Sequence, residues 1–172
     1  MALTRIGLNQ LINLASNVTG TLPTANGGTG ATSFTAGKVL QVVNATSTTA
    51  TDSSTQSFVA TNLTASITPS SSSNKILIIA SGCYDLNGNA RQADFAVYRN
   101  SSNISGGSGT SFSRPYSDSS RAISTVSINQ LDTPNTTSST SYTIRIKATS
   151  AGAVEFISQS TEAYIQLMEI AA

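Results

Sequence analysis

Short apolar runs separated by stretches of serine, threonine and glycine recur through most of this chain of 172 residues. Within several runs apolar and polar residues alternate, as at Tyr142, Ile144 and Ile146, each of which is followed by a polar residue. A period of two puts one set of side chains on one face of a β-strand. Runs of this kind, repeated with turn residues between them, predict an all-β protein folded as an antiparallel β-sandwich.

The composition favours the same fold. The chain holds 29 serines and 24 threonines, whereas charged residues make up only 10%. Val and Ile are frequent, and these β-branched residues suit strands better than helices. The length suits one domain with one core. We therefore expect a single sandwich with a neutral, hydroxyl-rich surface, a turn over residues 85–89 and a long exposed loop over residues 100–121.

Missing residue types exclude most catalytic chemistry. The chain has no histidine, which rules out Ser-His-Asp and Cys-His sites. Cys83, the single cysteine, is expected to be a small core residue. The carboxylates are spread singly and tryptophan is absent, which disfavours a glycoside hydrolase. We expect no enzymatic activity, no catalytic residues, no cofactor and no metal ion.

The charge pattern argues against nucleic acid and membrane as partners. Nine basic and eight acidic residues leave a formal charge of +1, and the basic residues are scattered. A protein that binds a phosphate backbone needs a basic stripe, so no nucleic-acid partner is expected. No apolar run approaches the roughly 18 residues of a membrane span, and the N-terminus lacks a signal-peptide pattern. We expect a soluble protein, made in a cytoplasm, without membrane insertion.

Residues 3–15 carry the only helical pattern. Leu8, Leu11, Ile12 and Ala15 fall at positions i, i+3, i+4 and i+7, which form one stripe on a short helix. A helix of this length seldom holds in water without a packing partner. Two interpretations stay open: the stripe packs on a partner surface or on like helices, or it docks onto its own domain.

Residues 18–37 are rich in glycine and threonine and predict an extended linker. They contain the run Asn26, Gly27, Gly28, Thr29 and Gly30, which lacks the spacing of a phosphate-binding loop. This run resembles the Asn-Gly-Gly-Thr-Gly linker that recurs in bacteriophage tail-fibre and related virion fibre proteins. The resemblance implies an extended stem between a virion-attachment segment and a folded tip.

A second resemblance lies in the order of the predicted strands. Residues 64–79, 95–100, 141–146 and 165–170 are similar to strands in the tip domains of trimeric phage fibres. Those tips are related in shape to the jelly roll of the complement and tumour-necrosis-factor type. The resemblance implies a jelly-roll-like sandwich that forms a homotrimer about a threefold axis.

Together the resemblances imply three parts. Residues 1–17, with Leu8, Leu11 and Ile12, are expected to anchor the chain to other virion proteins of the tail or capsid; residues 18–37 form the stem; residues 38–172 form the tip. The implied function is that of a phage virion structural fibre or spike, located in the virion and assembled in the host cytoplasm. It would present loops for attachment to a host-surface glycan or protein. A capsid decoration or head-fibre appendage protein is the alternative.

Rings and guanidinium groups next to predicted loops suit the gripping of carbohydrate hydroxyls and carboxylates. Tyr84 and Tyr98 offer two such rings, and residues 113–121 form a loop that an Arg-Pro-Tyr sequence stiffens. The alternative is that these tyrosines simply pack and the arginines serve solubility. The receptor-binding candidates are Arg91, Arg114, Tyr116, Asp118 and Arg121.

Overall fold

The alternating runs become strands. A computed structural model describes residues 39–87, 91–106, 111–117, 121–149 and 152–172. The predicted helix with Leu8, Leu11 and Ile12, the linker residues 26–30 and Asp118 lie outside the described residues. The strands are β1 Val39–Ser47, β2 Thr51–Ser53, β3 Val59–Ile67, β4 Lys75–Asn87, β5 Arg91–Arg99, β6 Ser102–Asn103, β7 Tyr116–Ser117, β8 Arg121–Asp132, β9 Thr140–Ala148, β10 Ala153–Phe156 and β11 Ala163–Ile170.

Sheet A is built around β4, its longest strand. On one side β8 pairs antiparallel with β4 from Ile76 to Asn87. On the other side β11 pairs with residues 75–81 and β10 with residues 84–87, so β10 and β11 lie end to end. β1 then pairs with β11, and β2 pairs with β10. Because every pairing is antiparallel, the start of β1 and the end of β11 lie beside Lys75, at the end of the sheet that we call the base.

Sheet B has the order β3, β9, β5, β6 and is also antiparallel. β6 and β7 both pair with β5 along the edge that β9 leaves open, with a bridge from Phe95 to Ser113 between them. β5 starts and β7 ends at the opposite end from the base, which we call the distal end. At 3.3 Å per residue the 13 residues of β4 separate base from distal end by roughly 40 Å.

The two sheets pack face to face, which confirms the predicted antiparallel β-sandwich. Tyr142, Ile144 and Ile146 of β9 are all 0% exposed, as their alternation predicted. Phe95 of sheet B makes an edge contact with Phe156 of sheet A, at 5.6 Å between ring centroids. Burying these large side chains supplies most of the favourable free energy of the fold.

Gly82 makes room for one of those rings. A Cβ at this position would lie 2.6 Å from Cζ of Phe156 and 2.9 Å from Cβ of Ala163. Atoms cannot approach so closely, so any larger residue would have to displace the ring. The absent side chain therefore lets Phe156 reach the centre of the sandwich.

A polar link joins the sheets near the base. The hydroxyl of Tyr142 in β9 donates to Oδ2 of Asp132 in β8 at 2.7 Å. Arg99 of β5 donates to both carboxylate oxygens of Asp132 at 3.0 Å. Burial and the bond to Asp132 raise the pKa of Tyr142 far above its usual value, so the hydroxyl stays a donor.

Glu169 closes the base. Its carboxylate is 0% exposed and accepts from Gln41 at 2.6 Å, from Asn74 at 2.6 Å, and from the Ser70 amide and hydroxyl at 2.7 Å each. Burial alone would raise the pKa of Glu169, but the hydrogen bonds of Asn74, Gln41 and Ser70 lower it to about 2. The ionised carboxylate thus ties β1, β11 and the turn before β4 together.

Three local predictions are wrong. Residues 85–87, expected in a turn, belong to β4, because β8 and β10 supply hydrogen-bond partners on both sides of them. The region 100–121, expected as one long exposed loop, contains β6 and β7, and its Ser105 and Ser117 are buried. Cys83, expected in the core, is only half-buried and points away from it with the other odd-numbered residues of β4.

Candidate functional site

The predicted receptor-binding residues that the structure describes lie toward the distal end. Arg91 of β5 is the cross-strand partner of Ser117, and Tyr116 is the partner of Gln92. Arg121 begins β8, where it pairs with Asn87 at the tip of β4. The structure therefore brings Arg91, Tyr116 and Arg121 to the end of the sandwich opposite Val39, the first described residue. Their role in binding stays a prediction.

Arg114 is held by a buried carboxylate. Its Nε donates to Oδ1 of Asp94 at 2.6 Å and its Nη2 to Oδ2 at 2.8 Å, while the Arg114 side chain is 54% exposed. Asp94 is 0% exposed, and Nζ of Lys147 lies 3.3 Å from its Oδ2. Burial alone would raise the pKa of Asp94, but the hydrogen bonds and charges of Arg114 and Lys147 lower it. Asp94 thus fixes the orientation of the guanidinium group, whose remaining N–H groups suit contact with an oxygen-rich ligand.

Arg121 is held in the same manner. Its Nε donates to Oδ2 of Asp85 at 2.9 Å, and its Nη2 donates to the same oxygen. Asp85 is 4% exposed, whereas the side chain of Arg121 is 47% exposed. The hydrogen bond to Asp85 raises the pKa of Arg121. Both arginines thus combine a buried anchor with an accessible guanidinium group.

Three carboxylates lie in one row beside Arg121, although the sequence suggested that the carboxylates are spread singly. In the register of sheet A, Asp52 faces Glu155, and Glu155 faces Asp85. Together with Ala153 they line a hollow of about 100 Å³. No group of cysteine and carboxylate side chains in the described residues has the arrangement of a metal site.

Tyr116 offers the most open aromatic ring at this end. The residue is 61% exposed, although its backbone is fixed by pairing with Gln92. Tyr84, in contrast, packs against Phe95 at 5.4 Å between ring centroids. A ring with an open face on a fixed backbone suits stacking against a sugar.

The outer face of sheet A carries an apolar row across four strands, of which the sequence indicated only the part on β4. Val42, Met168, Leu77 and Leu131 are successive cross-strand partners on β1, β11, β4 and β8. Val42 is 53% exposed and Leu131 is 51% exposed. The next two rows toward the distal end carry no charge: Asn44, Gln166, Ile79, Asn129, then Thr46, Tyr164, Ser81, Ser127. We call these twelve residues the uncharged patch.

The continuous apolar run of β4 was the available signal for this patch. A strand covered on one face only should alternate, yet Leu77 and Ile79 stand between buried Ile76, Ile78 and Ala80. A continuous apolar run such as residues 75–80 predicts burial on both faces of the strand, by a second sheet or by a neighbouring chain, whereas Leu77 and Ile79 are half-buried within one chain. Their side chains are the part of this apolar run that a single chain leaves partly open to solvent.

In comparisons with known proteins, no protein-family model and no curated protein matches this chain. In the part of the chain that the structure describes, no helix is long and apolar enough to cross a membrane.

Proposed function

We propose that this chain is a phage virion structural fibre or spike protein, non-enzymatic and homotrimeric, whose distal end attaches to a host-surface glycan. The observation that carries the proposal is the position of Val39 at the base and of Arg114, Tyr116 and Arg121 at the distal end. A stem that enters at the base leaves the opposite end free to meet another surface.

The strand order supports a jelly roll of the complement and tumour-necrosis-factor type. Sheet A contains β1, β11, β4 and β8 and sheet B contains β3, β9 and β5, so the seven strands of eight or more residues alternate between the two sheets along the chain. This order places the first long strand, β1, at the edge of sheet A beside the last strand, β11, which in turn pairs with β4. The expected resemblance to trimeric fibre tips rests on the same arrangement.

The uncharged patch supports the trimer, with two further copies of this chain as its occupants. Identical surfaces that meet around a symmetry axis place like residues near one another, so charge on them is costly. The patch has no charge on any of its twelve residues, and its row from Val42 to Leu131 is apolar. Three copies joined here would point three distal ends the same way and add weak contacts through effective concentration.

An array of bacterial surface polysaccharides tests the attachment role. The full chain is expected to bind at least one glycan, and Tyr116→Ala is expected to weaken that binding. Phe112→Ala is the matched control, because Phe112 is 39% exposed but lies nearer the middle of β5. A trimer that binds no glycan would overturn attachment and favour the capsid decoration role. Equal losses in both variants would overturn the distal site.

A further inference from the structure

The two sheets differ in charge. The strands of sheet B carry four cations and one carboxylate, whereas those of sheet A carry two cations and five carboxylates. The chain as a whole has a formal charge of only +1, so this separation is hidden in the composition. An anionic ligand is therefore attracted to sheet B rather than to sheet A.

Cations and rings interlock on the outer face of sheet B. Nζ of Lys147 lies 4.7 Å from the ring centroid of Phe58, and Cζ of Arg145 lies 4.2 Å from that of Tyr98. The two rings meet edge to face at 5.7 Å. Through Asp94, Lys147 is joined to Arg114 at the distal end. We call Phe58, Tyr98, Arg114, Arg145 and Lys147 the cation–ring cluster.

The cluster holds more positive charge than its own carboxylate balances. Asp94 is fully buried beneath Arg114 and Lys147 and faces both. Arg145 forms no ion pair with any described carboxylate, and its buried Nε has no hydrogen-bond partner among the described residues. Three cations thus stand against one carboxylate, and the rings hold two of them in place.

We infer that the cation–ring cluster binds the acidic groups, carboxylate or phosphate, of a surface polysaccharide. This inference rests on the proposed attachment function and gives it a second contact area on the flank of each tip. Arg145 and Lys147 alternate on one strand, which sets them about 7 Å apart along the chain direction. The cluster therefore offers a line of cations to a polymer with repeated acidic groups.

The cluster's geometry favours an acidic glycan over other polyanions. Guanidinium and ammonium groups bind carboxylate and phosphate oxygens, while ring edges give apolar contact to a sugar. A nucleic-acid backbone has closely spaced phosphates and calls for a longer basic surface than three cations. If the uncharged patch joins three copies, the outer face of sheet B stays open on each copy, because it lies on the opposite side of the sandwich.

Surface plasmon resonance with the full chain tests the inference. Polygalacturonate carries carboxylates, poly(glycerol phosphate) carries phosphates, and dextran is the neutral control. The wild type is expected to bind at least one acidic polymer more tightly than dextran, and which one it binds identifies the acidic group. Arg145→Gln and Lys147→Gln are each expected to weaken this binding by about tenfold, the value of a charge-assisted hydrogen bond.

Lys75→Gln is the matched control, since it removes one exposed cation at the base of sheet A and is expected to leave binding unchanged. Circular dichroism and solution mass identify any variant that fails to fold. If Arg145→Gln does not fold, Lys147→Gln alone tests the inference, because Asp94 keeps Arg114 as a partner in that variant. Binding of dextran as tight as that of both acidic polymers, an equal loss in the Lys75 variant, or tighter binding of single-stranded DNA would overturn the inference. If this inference is overturned but the chain still binds a glycan in a manner that depends on Tyr116, the proposed attachment function stands.

Discussion

Tyr142 and Asp132 join the two sheets through one hydrogen bond: the phenol hydroxyl of sheet B donates to the carboxylate of sheet A at 2.7 Å. Tyr142 is 0% exposed, so its hydroxyl depends on this partner. Arg99 holds Asp132 from the other side at 3.0 Å. The base of the sandwich is thus fixed by polar groups as well as by the apolar core.

Tyr142→Phe is expected to lower the free energy of unfolding by about 1.5–3 kcal/mol, the value of a hydrogen bond to a charged group. Asp132 keeps Arg99 as a partner, so the loss stays in this range. Urea unfolding of the full chain measures it. Tyr116→Phe, at an exposed ring, is the control, and an equal loss in both variants would contradict the assigned role of the Tyr142 hydroxyl.

Gly82→Ala is expected to destabilise the fold by about 1–3 kcal/mol, because the new Cβ would overlap the ring of Phe156. Adding Phe156→Leu removes the ring atoms that clash and is expected to make the Gly82 substitution less costly. Thermal unfolding of the two single variants and the double variant gives the coupling between the positions. Strictly additive losses would show that the two residues do not meet in this manner.

The lowered pKa of Glu169 predicts that acid destabilises the base end of the sandwich. Its pKa is near 4.5 unfolded and about 2 folded, so its stabilisation is present above the unfolded value and is lost as the pH falls from about 4.5 toward 2. The loss is expected to reach roughly 1–3 kcal/mol. Denaturant unfolding at about pH 6 and at about pH 2.5 measures this loss.

Glu169→Gln serves as the comparison for that titration. The variant is expected to be less stable than the wild type above about pH 5 and to show a shallower loss in acid, since Asp94 still titrates. Parallel stability curves for the two proteins would contradict the assigned role of Glu169.

Alternation within single runs predicted much of the fold. It gave the buried face of β9, with Tyr142, Ile144 and Ile146, and the expected strand over residues 165–170 lies within β11. These features depend on local sequence, where a period of two is enough to assign a face.

Contacts between distant strands could not be predicted in this way. Arg121 meets Asp85 across 36 positions, and Val42 joins Leu131 in one row only through the register of four strands. Local sequence does not fix such pairings. For the same reason the expected turn was wrong at residues 85–87: the sequence carried a turn signal, but two neighbouring strands extend β4 through Asn87.

The solution mass of the full chain, measured by light scattering, tests the trimer and the uncharged patch together. The wild type is expected at three times 17.7 kDa, and Val42→Lys with Leu131→Lys at 17.7 kDa, because six lysines would meet around the axis. Asn62→Lys with Ser66→Lys, at exposed positions of β3, is expected to stay trimeric. A monomeric wild type would contradict the trimer, and a trimeric patch variant would place trimerisation elsewhere in the chain.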